Sequence, residues 1–279
     1  MKVSVMSHCF YKEFEKKKIT MNEFIKYCSD LKVDGVELSD HHMEDSDFID
    51  LQSKLEDSNL ELPSYIIVTD FVQTDDKTRD KVVQDVIRRI DRASLFNAKH
   101  IMISPGGPKE GLSNEQVRAL MTDGLLKVSE HAARKNMILS MENHGGHANL
   151  RGKPEHMLEF ASNVPLMNIA YDDGNYVLAG ADTLAALDEL YEKTVHVHLK
   201  DYMLLDDDLN TNEVKGNKKI SKYSGVAIGE GIVPTFEVLK KLKKNNYTGY
   251  ISIEYIGKMT PEEGIKRSYE NILNLIKRL

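Results

Sequence analysis

The sequence predicts a single (β/α)8 barrel. Three features carry that expectation: eight short apolar runs rich in β-branched residues, segments of helical period between them, and charged residues closing several of the runs. The runs span 2–6, 35–38, 64–68, 100–104, 137–142, 168–173, 195–200 and 250–254. Several are apolar almost throughout, as strands buried on both faces of a parallel sheet are. A chain of 279 residues, 41% of them hydrophobic, has the length and the core for one such barrel.

The intervening segments read as helices. At 260–276, Thr260 and Glu263 form a capping box, Pro261 takes the first helical position, and Ile265, Tyr269, Ile272, Leu273 and Ile276 share one face. The segment 74–97 repeats the pattern through Val82, Val83, Val86, Ile87 and Ile90, and 113–136 opens at Ser113. A doubly wound open sheet is the rival, but no Gly-x-Gly-x-x-Gly turn follows the first run. No domain boundary interrupts the rhythm, so residues 1–279 are read as one domain. The one long excursion, 201–231, is polar and carries Asp206, Asp207, Asp208, Lys215, Lys218, Lys219 and Lys222. It reads as a solvated loop or as a lid, since such loops lie on the catalytic face of a barrel.

Composition limits the function. A formal charge of -7 without long runs of one sign argues against a nucleic-acid partner, which needs a basic face. No stretch of 18 apolar residues offers a membrane span, and MKVSVMSHCF is too short and polar for a signal peptide. Two cysteines, Cys9 and Cys28, do not suggest a disulfide framework, so the expected location is cytoplasmic. An exposed barrel face leaves a homo-oligomer open.

The chemistry is expected where strands end, because the loops of a barrel converge on one mouth. Strand two ends at Glu37; strand five at Glu142, followed by Asn143 and His144; strand six at Asp172 and Asp173, followed by Asn175. Strand seven carries His196 and His198, then Lys200 and Asp201, and strand eight ends at Glu254. A carboxylate closing an apolar strand needs a partner, and a divalent cation satisfies several at once. Carboxylates with an imidazole and no thiolate suit Mn²⁺ or Mg²⁺, with Zn²⁺ or Co²⁺ also compatible. His196 and His198 face the same side of a strand; His198, nearer its C-terminal end, is the expected ligand, and His196 a hydrogen-bonded interior histidine. Cys9 reads as a buried small residue.

These pieces together resemble the xylose-isomerase-like barrels, the superfamily of sugar phosphate isomerases and epimerases. The resemblance rests on Gly35-Val-Glu37-Leu, Met141-Glu142-Asn143-His144, Asp172-Asp-Gly-Asn175, Val195-His-Val-His198-Leu-Lys-Asp201, Gly229-Glu-Gly231 and Gly249-Tyr-Ile-Ser-Ile-Glu254, in this order over nearly the whole chain. It implies one metal held by Glu142, Asp172, His198 and Glu254, and it favours Asp172 over Asp173. It also implies that Glu142 and Glu254 move protons. The three-metal apurinic endonucleases of the superfamily use further histidines that are missing here. Asn175 replaces one, and strands three and four end in Val68-Thr-Asp70 and Ile103-Ser-Pro105.

The expected reaction is proton abstraction alpha to a carbonyl of a sugar, sugar phosphate or polyol, through an enediolate that the metal stabilises. Isomerisation or epimerisation is favoured, a dehydratase-type lyase is the alternative, and a non-catalytic sugar-binding barrel is disfavoured because all four ligands are present. His8, Glu37, Asn143, His144, Asn175, Lys200 and Glu230 are the candidate substrate-binding residues. Glu37 reads equally as a buried structural pair, and His144 as support for a ligand rather than a ligand. The loop 105–109 is a plain turn or an anion contact, and His41 and His42 read as loop residues.

Overall fold

In the computed structural model, residues 1–205 and 222–279 are described. The strands are β1 (Lys2–Met6), β2 (Gly35–Ser39), β3 (Glu61–Val68), β4 (His100–Ser104), β5 (Ile138–Glu142), β6 (Met167–Asp172), β7 (Thr194–Leu199), β8 (Asp201–Leu204), β9 (Tyr223–Val226) and β10 (Tyr250–Ile253). Eight close a barrel in the order β1-β10-β7-β6-β5-β4-β3-β2, every neighbouring pair parallel. The other two, β8 and β9, form an antiparallel ribbon.

Seven of the expected runs match barrel strands to within a residue or so at each end. The exception is β3, which starts at Glu61 rather than 64. Pro63 lacks a ladder donor and reads as a strand breaker, and the β2–β3 register shifts beside it, between Gly35 and Glu37. The helices follow their signals. Thr260 and Glu263 make the reciprocal capping box ahead of Pro261–Lys277. Ser113 caps Asn114–Arg134. In Asp76–Ser94, Val83, Val86 and Ile90 are fully buried, while Val82 and Ile87 pack at the edge of the same core.

Parallel closure brings the C-terminal strand ends to one mouth. Register pairs Asp172 with His198, His198 with Ser252, and Glu142 with Ala170. Glu37 on β2 reaches His196 and His198 on β7, which is not a neighbour of β2, so these side chains meet across the barrel interior.

The excursion after β7 begins as a built element, not a free loop. Asp201 accepts hydrogen bonds from the N–H groups of Tyr202, Gly229, Gly231 and Val233, which anchors β8 to the segment 229–233. Gly225 in β9 lies so close to the carbonyl of Ile256 that a Cβ would stand 1.3 Å from its oxygen. Of the loop or lid expected over 201–231, residues 206–221 lie outside the described residues.

Candidate metal centre

Glu142 ends β5, Asp172 ends β6, His198 is the penultimate residue of β7, and Glu254 directly follows β10. One side-chain donor atom from each lies within 4.8 Å of all the others, and all four residues are buried. His198 Nδ1 is 2.5 Å from Glu142 Oε1 and 3.4 Å from Glu254 Oε2, while its Nε2 is 3.0 Å from Glu37 Oε2. The other oxygen of Glu37 is 2.5 Å from His196 Nε2. The interior, hydrogen-bonded role expected for His196 is the one seen.

Clustered buried carboxylates repel one another, and the cluster carries that strain. Burial, with Glu142 and Glu254 nearby, raises the Asp172 carboxyl to about 7 against the pull of Lys200. Burial also pushes Glu254 up, but the Lys200 ammonium and His198 outweigh it and hold Glu254 well below the usual range. His198 is held well above the ordinary imidazole value: burial opposes its charge, and Glu37 and Glu142 more than compensate. Lys200 Nζ sits 2.7 Å from Glu254 Oε1 and 3.1 Å from Asp172 Oδ2. Even so, Asp172 Oδ2 and Glu254 Oε2 are buried without a well-formed hydrogen bond. Three carboxylates and one imidazole whose donor atoms converge, with no thiolate among them, fit a divalent ion.

The remaining expected site residues divide. Lys200 lies in the cluster. His8 follows β1 and feels the charges of Glu254, Lys200 and Glu142; it stacks on Tyr11 and on His42, so the His41–His42 turn reaches the mouth through that contact. His144 stacks on His147 at 4.5 Å, and burial together with the Arg151 charge lowers it to about 3. Four others are engaged in contacts within the protein. Glu37 is fully buried and spends both oxygens on histidines. Asn143 clamps β5 to β6, donating to the Asp172 carbonyl and accepting the Asp172 N–H, and Asn175 donates to the Asn143 carbonyl. Glu230 pairs with Arg267 on the outer helix, because its exposed Gly-Glu-Gly turn carries it away from the mouth. Lys109 is likewise engaged, donating to the carbonyl of Val72.

Three residues near the cluster were not legible as contributors. Asp173 accepts the Lys200 N–H and the Thr235 hydroxyl, fixing the backbone beside the ammonium. Tyr202 lays its buried ring beside Gly174 and feels Lys200, Asp172, Glu254 and Glu142. Arg151 is buried behind Glu142. A cavity of about 430 Å³ lies between Pro108, Asn114, the 145–150 segment, Leu178 and Tyr223, in the loop after β5.

Comparison with known proteins agrees with this fold. An inosose dehydratase of Clostridium perfringens (strain 13 / Type A) is 29% identical over 166 residues, 57% of this chain and 50% of that protein. The chain thus spans about half the length of the first curated relatives it matches. An inosose dehydratase of Bacillus thuringiensis (strain Al Hakam) is 25% identical over 218 residues, 73% of this chain and 72% of that protein. Among solved structures, the probable 3-DHS dehydratase AsbF from Bacillus anthracis superposes with a TM-score of 0.77 at 21% identity, covering 98% of this chain and 99% of that one. IolI, described with a binding zinc atom, gives 0.79 at 14% identity, covering 100% and 99%. The curated relatives are named as dehydratases and AsbF as a probable one. Residues 25–275 match the family model for the xylose isomerase-like TIM barrel, and the chain belongs to that family.

Proposed function

We propose that the protein is a metal-dependent lyase that removes water from a small polyhydroxy carbonyl compound, beginning with proton abstraction alpha to the carbonyl. The observation that carries this reading is the convergence of Glu142, Asp172, His198 and Glu254 with a buried ammonium, Lys200, against two of the carboxylates. A divalent ion bound there supplies a Lewis acid for a carbonyl and its neighbouring hydroxyl; three carboxylates and one imidazole suit Mn²⁺ or Mg²⁺, and Zn²⁺ is compatible.

The side chains supply the proton transfers. Glu142 takes the α-proton, and the C–H electron pair becomes the new C=C bond. The β C–O bond breaks, and the departing hydroxide takes a proton from Lys200 to leave as water. Glu254, 2.7 Å from Lys200 Nζ, keeps the amine charged until that point. Exchange with solvent resets both groups. The sequence favours isomerisation or epimerisation; the elimination is preferred here because a cation stands ready as an acid and the curated relatives are named dehydratases.

Epimerisation remains the second reading, supported by the two carboxylates, Glu142 and Glu254, that share the mouth: one can remove a proton and the other return it. One experiment separates them. Protein loaded with Mn²⁺ is incubated in D₂O with inososes, keto sugars and polyhydroxy cyclic ketones bearing a carboxylate. Growth of ultraviolet absorbance from a conjugated enone, lost in Glu142→Gln, is expected. Deuterium incorporation without enone favours epimerisation, and exchange unaffected by Glu142→Gln refutes both.

A further inference from the structure

Arg151 closes the short helix Ala148–Arg151 in the loop after β5 and is 2% exposed. Its guanidinium donates to a carbonyl and a hydroxyl rather than to a carboxylate: Nη1 reaches the Glu142 carbonyl at 3.3 Å, and Nη2 reaches Ser104 Oγ, at the end of β4, at 3.5 Å. Nε is buried without a partner. The Arg151 carbonyl accepts the His144 N–H at 3.0 Å, closing the loop on itself.

Other well-covered arginines are paired. Arg89 grips Asp40 with two hydrogen bonds of 2.5 Å, and Arg118 pairs with Glu159 at 2.9 Å. A guanidinium taken out of water with only neutral partners forfeits its hydration, and its survival calls for a use of the charge. The one carboxylate whose charge acts on it is Glu142. A guanidinium keeps its charge at neutral pH even when buried.

We infer that Arg151 is a positioning residue for the metal centre, holding the Glu142 strand end against β4 and supplying a fixed positive charge behind the carboxylate cluster. The carbonyl bond sets where the backbone of Glu142 stops, and so where its side chain meets His198. The charge offsets the mutual repulsion of Glu142, Asp172 and Glu254 without occupying a position among the donor atoms, as Lys200 does. This inference rests on the metal site proposed above.

The test is Mn²⁺ binding to metal-free protein by calorimetry, with thermal unfolding of the same samples. Arg151→Met, which keeps bulk and removes charge, is expected to weaken Mn²⁺ about tenfold or more, in the range found for residues that support metal ligands. Arg151→Lys is expected to stay within about threefold of wild type, on the same scale. Arg79→Met, which removes a covered arginine paired with Asp76 and Asp123 on the outer helices, is the control for general damage and should not change Mn²⁺ affinity. An Arg151→Met variant that folds and binds Mn²⁺ like wild type overturns the inference, as does one weakened no more than the Arg79→Met control. If Arg151→Met does not fold, the lysine variant decides: tenfold weaker binding than wild type overturns the role of the charge. Wild-type protein that binds neither Mn²⁺ nor Zn²⁺ removes the metal site itself and this inference with it.

Discussion

Replacing Glu37 by glutamine should weaken the metal centre without touching a ligand. Glu37 is completely buried and accepts from two imidazoles, 2.5 Å to His196 Nε2 and 3.0 Å to His198 Nε2. Burial raises its carboxyl, but the two histidines outweigh that and hold it well below the usual carboxylate range. With the Nε2 proton given to Glu37, His198 can release its other proton, which lies between Nδ1 and the Glu142 and Glu254 carboxylates, and so offer the Nδ1 lone pair to a metal. A glutamine has the same shape but only one acceptor. If its NH₂ faces His198, the His198 proton must move to Nδ1, the atom meant for the metal. If it faces His196, the proton moves to His196 Nδ1, which is buried without a partner. Either orientation leaves a penalty of about 1–3 kcal/mol. Support residues of this kind change metal affinity by about 10- to 100-fold, or about 1.4 to 2.7 kcal/mol. Titration of metal-free Glu37→Gln with Mn²⁺ and with Zn²⁺, alongside its melting curve, measures the effect. A Kd within twofold of wild type, in a variant that melts like wild type, would refute the tautomer argument.

Four further outcomes are expected. Because the metal-free centre holds His198 well above its ordinary value, Mn²⁺ binding at neutral pH should release about one proton and tighten as pH rises, which calorimetry in buffers of different ionisation enthalpy reads directly. Lys200→Met should cut turnover by about 100-fold or more while Mn²⁺ binds as well or better, since the ammonium no longer contests Asp172 and Glu254; weaker Mn²⁺ binding would contradict this. Burial lowers His42 and His100 to about 4 and His144 to about 3. Their neutral forms are favoured in the fold and the unfolded chain binds more protons, so stability should fall as pH drops from about 6.5 through 4; a melting temperature flat over that window would count against it. Gly225→Ala should loosen the ribbon, because its Cβ meets the Ile256 carbonyl oxygen at 1.3 Å, and faster hydrogen exchange in Tyr223–Val226 with the barrel strands unchanged is the signature to seek.

The four candidate ligands were legible because each signals locally: a charged residue at the close of an apolar run is costly unless something pairs with it. The strand limits were legible for the same reason, except at β3, where Pro63 hides the first turns of an otherwise regular strand. Partners that lie far apart in the chain were harder. Glu37 and His196 are 159 residues apart, and nothing in Gly35-Val-Glu37-Leu says which strand that carboxylate will face. Asn143 and Asn175 flank ligands in sequence, which suggested substrate contact; that their amides fasten β5, β6 and the helix Asp173–Ala179 together was not readable there. Glu230, a glycine-flanked glutamate, pairs with Arg267 on the outer helix, a partner 37 residues away that its turn does not announce.

By itself the sequence determined the barrel, the order of its strands and the set of side chains able to hold a metal, because strand period, helix caps and the cost of an unpaired buried charge are local properties. Only the tertiary structure decided which nitrogen of His198 faces the carboxylates, that Lys200 lies between Glu254 and Asp172, and that Arg151 is buried without a carboxylate of its own. Those arrangements depend on closing eight strands in one register, and distance across a closed barrel is not written in the spacing along the chain.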